Sequence, residues 1–101
     1  MAEYLVIYTP CRPSFARDAD ERERAVVGEH FGYLTRALEA GRLVMAGRTQ
    51  DEPPMGLGVF EAPSDGAARA FVADDPAVVA GVFRAEVRPY RVALLSGRPV
   101  G

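Results

Sequence analysis

The chain contains no lysine, no asparagine and no tryptophan, and only one cysteine and one histidine. Each scarcity excludes a chemistry. Without lysine there is no side-chain amine for Schiff-base catalysis. With Cys11 alone no intrachain disulfide can form, which suits a reducing cytoplasm. One histidine beside one cysteine falls short of a zinc ligand set. No P-loop, Rossmann glycine pattern, nucleophile elbow or metal-ligand spacing occurs, so no cofactor and no metal are expected. All 12 basic residues are arginine, set among 14 acids for a net charge of −2. They form no basic run or stripe, which argues against nucleic acid as a partner. No secretory pattern opens the chain, and its apolar runs are too short to span a bilayer.

Nearly half of the 101 residues are hydrophobic, enough for the core of a single domain. EYLVIY (residues 3–8), bounded by Thr9 and Pro10, reads as a strand. A loop with Pro10 and Pro13 follows. From about Asp20 to Ala40 the period becomes helical, with Asp20 as N-cap and with Glu21 and Glu23 at the positive end of the dipole. Val27, Phe31, Leu34 and Leu38 form its expected apolar stripe, and Gly41 its C-terminal stop. RLVMAGR (42–48) and MGLGVFEA (55–62) read as strands separated by a loop with Pro53 and Pro54. Ser64 caps a second helix that buries Ala68, Phe71 and Val72 and stops at Pro76. The last strand is expected from about Ala85 to Leu95, with Pro89 marking an edge position or a bulge.

The order β-α-β-β-α-β predicts an α+β, ferredoxin-like fold: a four-stranded antiparallel sheet with two helices on one face. The other face then needs a partner. Leu5 and Ile7 point to one side of the first strand and Tyr4, Val6 and Tyr8 to the other, and both sets are largely apolar. A homodimer in which the uncovered faces meet satisfies both, with Tyr4 and Tyr8 placed on that second face.

Few residues here can carry chemistry. His30 falls at the margin of the helical stripe, either as a boundary residue or as a general acid/base. Asp75, before Pro76, is a good N-cap; alternatively it faces His30 and fixes its tautomer. Asp74 reads as a solvated helix-end residue. Tyr8 and Arg48 are candidates to line a small-molecule pocket, packing and solvation being the plainer readings.

HFGYLTRALEAGRLVMAG (30–47) and DDPAVVAGVFRAEVRPYRV (74–92) resemble the YciI-like, or YCII-related, family over nearly the whole chain. The resemblance implies a dimeric α/β barrel and an active site with a histidine and an aspartate, matching His30 and Asp75. A dehydrochlorinase is a relative, and muconolactone isomerases share the architecture. The expected function is a cofactor-free lyase or isomerase using His30 and Asp75 for proton transfer on a small cyclic or carbonyl-containing substrate. The alternative is a noncatalytic small-molecule-binding or accessory dimeric module. This sequence departs at Arg48, where the family often has proline after Ala-Gly.

Overall fold

The computed structural model describes residues 1–97. Its elements in order are β1 (Ala2–Pro10), α1 (Phe15–Asp18), α2 (Glu21–Glu39), β2 (Leu43–Arg48), β3 (Gly56–Ala62), α3 (Asp65–Ala73), α4 (Pro76–Val79) and β4 (Phe83–Tyr90). The strands form one antiparallel sheet in the order β2-β3-β1-β4. This is the ferredoxin-like arrangement, with the helices on one face. Among the described residues, no helix is long and apolar enough to cross a membrane.

α2 starts where its capping residues allow. The Asp20 side chain accepts from the Glu23 N–H at 2.7 Å, and Glu23 Oε1 accepts from the Asp20 N–H at 2.9 Å. This reciprocal box satisfies two of the helix's orphan donors. Arg12 adds two further bonds, Nη2 to Glu23 Oε1 at 2.6 Å and Nε to Oε2 at 2.9 Å. The other end turns at Gly41, whose φ of 77° a side chain would disfavour. The expected loop before α2 contains one helical turn, α1, whose Phe15 packs edge-on against Phe83 at 5.5 Å.

The structure corrects the expected face of α2. Leu34 is buried and Val27 half-buried, but Phe31 is 72% and Leu38 54% exposed. The inward seam is instead Glu23, Val27, His30, Leu34 and Ala37. The reason is that α2 packs on α4 as well as on the sheet, and Tyr33 donates to the Phe71 carbonyl at 2.6 Å. His30 therefore lies in the seam, not at its margin.

The faces of β1 are also the reverse of the expectation. Tyr4, Val6 and Tyr8 are 4%, 1% and 4% exposed and lie beneath the helices, while Leu5 and Ile7 are half-buried on the open side. A buried tyrosine needs a partner for its hydroxyl, and only the helix layer offers one. Tyr4 donates to Asp65 at 2.7 Å and Tyr8 to Asp75 at 3.0 Å. β3 makes room for these rings with glycine. Gly56 and Gly58 lie opposite Tyr8 and Val6, and a Cβ at Gly58 would sit 3.1 Å from Val6 Cγ1. The core then closes around Phe60, fully buried between Tyr4 and Phe71 with ring centroids 5.9 and 4.8 Å away.

β4 begins earlier and ends earlier than expected. It pairs with β1 from Pro10↔Phe83 to Glu3↔Tyr90, so its length is set by the strand it pairs with. Past Tyr90 little of β1 remains to pair with, and the Val92 N–H turns to Glu3 Oε1 at 3.0 Å instead. Pro89 lies on this edge strand, where its missing donor costs no ladder bond.

The anchored cap has a pH signature. Hydrogen bonds from Arg12 and from the Asp20 N–H lower the Glu23 carboxyl from 4.5 to about 2. A depressed carboxyl contributes stability above its unfolded pKa, and that contribution is lost as pH falls through the folded value. Wild-type protein should therefore exceed Glu23→Gln in unfolding free energy above about pH 5, with the gap closing toward about pH 2. Denaturant titrations across that range check it, and a pH-independent gap would contradict it.

Candidate functional site

Pro76 has no N–H to continue α3, and it biases the preceding residue toward extended backbone. Asp75 accordingly sits at φ −61° and ψ 127°, as the N-cap of α4 with Pro76 in its first turn. Its Oδ1 accepts from the Ala77 N–H at 2.9 Å. The break turns the two adjacent carboxylates in different directions. Asp74 is exposed, whereas Asp75 is completely buried.

A carboxylate withdrawn from water must have its oxygens occupied. Two more donors meet Asp75. Tyr8 reaches Oδ2 from β1, and His30 Nδ1 lies 2.8 Å from Oδ2 and 2.9 Å from Oδ1. Asp75 thus joins α2, α4 and the central strand of the sheet. Both burial and the neighbouring Asp75 charge push the Tyr8 hydroxyl far above its usual range, so Tyr8 stays a proton donor in this cluster.

The same geometry assigns the imidazole. A carboxylate at Nδ1 accepts the proton carried there, which leaves Nε2 as the basic nitrogen of the neutral ring. The His30 side chain is 14% exposed. No buried side-chain nitrogen or oxygen among the described residues lacks a partner, so the unbonded Nε2 has access to solvent. The ring is held edge-on by Tyr8 at 4.9 Å and by Phe83 at 5.4 Å. Chemically, this is an oriented base with one nitrogen free to exchange a proton and a buried anion behind it.

Of the candidate residues, the structure brings together His30, Asp75 and Tyr8. Tyr8 contributes through Asp75: its hydroxyl is engaged there and its ring is buried. Arg48 stands apart. It is exposed at the end of β2, opposite Gly56, which lies opposite Tyr8, a separation of two strands or roughly 10 Å. Phe83 is the member that sequence reading missed. The alternation Phe83, Ala85, Val87, carried back from the last strand, points it to the helix side and is the signal that could have found it. Among the described residues no group of three or more His, Cys, Asp or Glu is placed to hold a metal ion. An open groove of about 300 Å³ lies beside α3, α4 and β4, lined by Arg69, Val72, Ala73, Val78, Ala85 and Val87, and none of the candidate residues lines it.

Two solved structures share this architecture. Muconolactone isomerase superposes with a TM-score of 0.69 at 17% identity, over 97% of this chain and 97% of that one. The 5-chloro-2-hydroxyhydroquinone dehydrochlorinase of Burkholderia phenoliruptrix, in complex with 2,5-dihydroxybenzoquinone, superposes with a TM-score of 0.59. It is 19% identical, over 87% of this chain and 93% of that one. At such identities the likeness is one of fold. No curated protein matches the chain. The family model for the YCII-related domain, however, matches residues 3–91, and the chain belongs to that family.

Proposed function

We propose that this protein is a small cofactor-free enzyme in which His30 transfers a proton on a small cyclic or carbonyl-containing substrate. The observation that carries the reading is the contact between His30 Nδ1 and the buried Asp75 carboxylate at 2.8 Å. Nε2 takes a proton from a carbon or oxygen acidified by a neighbouring carbonyl, and the electron pair stays on the substrate as an enolate. Asp75 stabilises the imidazolium that forms. In an isomerisation the proton returns to a different atom; in an elimination the enolate's electron pair expels a leaving group. Tyr8 positions Asp75, and Arg48, two strands from Tyr8, meets an anionic end only of a substrate long enough to reach it. The fold's occurrence in a dehydrochlorinase and an isomerase supports lyase or isomerase chemistry.

The working form we assign is a homodimer in the cytoplasm. Leu5 lies opposite Val59 and Ile7 opposite Leu57 on the open sheet face, with Met45 beyond Val59. Covering this patch contributes on the order of 1.5–3 kcal/mol for each large side chain fully buried. The groove's position away from His30 supports a second reading, a ligand-binding module in which His30 and Asp75 only complete a polar core.

Chloride release from 5-chloro-2-hydroxyhydroquinone and isomerisation of muconolactone are the first assays. His30→Ala and Asp75→Asn should each lower turnover by about 10²–10⁴-fold, with His30→Ala remaining folded by circular dichroism. Unchanged turnover in both variants would end the acid/base reading. Ligand binding that persists in these variants, with no turnover in any assay, would favour the binding module.

Light scattering at micromolar concentration should give the mass of a dimer, and Ile7→Arg should shift it to the monomer. A monomeric wild-type protein would refute pairing through the open face.

A further inference from the structure

The helix layer leaves part of the sheet uncovered on its own side. α3 has nine residues and α4 only four, and Val78 of α4 with Ala85 and Val87 of β4 remain half-buried. An open groove of about 300 Å³ lies here. Its volume is at the lower end of the range of small-molecule sites.

Its lining restricts the occupant. Val72, Ala73, Val78, Ala85 and Val87 offer no side-chain hydrogen bond, and Arg69 is the single charged residue of the wall. Sugars and nucleotides would find few side-chain partners there for the groups they turn toward the wall. An apolar body needs none. Arg69 also borders a smaller depression, with Tyr4, Asp65, Val87 and Pro89. Asp65 there accepts from the Tyr4 hydroxyl, and Arg69 pairs with no carboxylate within 4 Å among the described residues. An unpaired guanidinium beside an apolar groove matches one carboxylate at the end of an apolar body, since its parallel donors fit two carboxylate oxygens.

We propose that this groove is a second binding site, separate from His30, for a small monocarboxylate whose apolar body lies beside α3, α4 and β4 and whose carboxylate pairs with Arg69. It opens on the helix side, so a dimer formed through the opposite sheet face leaves it accessible. It does not depend on His30 being catalytic.

Octanoate and 1-octanol, which share chain length and differ in charge, are the probes. Each is titrated into the full-length protein while the valine methyl resonances are followed by NMR. Octanoate should saturate, shift the Val72, Val78 and Val87 methyls, and bind about tenfold more tightly than octanol, the weight of one charge-assisted contact at a partly open rim. Arg69→Gln should bring octanoate to the level of octanol, and Ala85→Leu, which fills the groove, should weaken both. Arg69 is exposed, so its variant tests the idea even if Ala85→Leu does not fold. Equal binding of the two probes, octanoate binding indifferent to Arg69→Gln, shifts confined to other methyls, or no saturation would each overturn the proposal.

Discussion

The placement of one fully buried carboxylate governs much of the rest. Asp75 is surrounded by donors from three elements: Tyr8 from β1, His30 from α2 and the Ala77 N–H from α4. A buried anion deprived of a partner costs several kcal/mol, far more than the net value of an ordinary hydrogen bond. The contacts are therefore mutually dependent. α2 must present His30 inward, α4 must begin at Pro76, and Tyr8 must face the helices.

That dependence explains where local pattern was a good guide and where it failed. The order of elements, Asp20 as a cap, Gly41 as a stop and the break at Pro76 follow from propensities and steric rules acting within a few residues. The outward turn of Phe31 and Leu38, and the inward turn of Tyr4 and Tyr8, do not. A helical wheel weighs hydrophobicity alone, so it centred α2 on its greasiest side. The folded chain centres it on Glu23 and His30, because those polar groups have partners inside. Hydrophobicity says nothing about the hydroxyls of the β1 tyrosines, and their hydrogen-bond partners lie 61 and 67 residues away.

The contact between His30 and Asp75 spans 45 residues and could be anticipated only through family likeness. Arg48 shows the limit of that route, since it stands where this sequence departs from the family habit. Its exposed position at the end of β2 is a matter of strand register, which no motif encodes.

The glycines of β3 have a consequence for how such a site can vary. Beside His30 the sheet carries Tyr8, and Tyr8 and Val6 pack against Gly56 and Gly58, where an added Cβ would need its neighbour to give by a few tenths of an ångström. The layer below the imidazole is therefore constrained in composition as well as in position. Above it, the outer side of α2 and the end of β2 are less constrained, and Phe31 and Arg48 face open solvent. Relatives built on this plan can diversify what they recognise by changing the roof and rim while inheriting the floor unchanged.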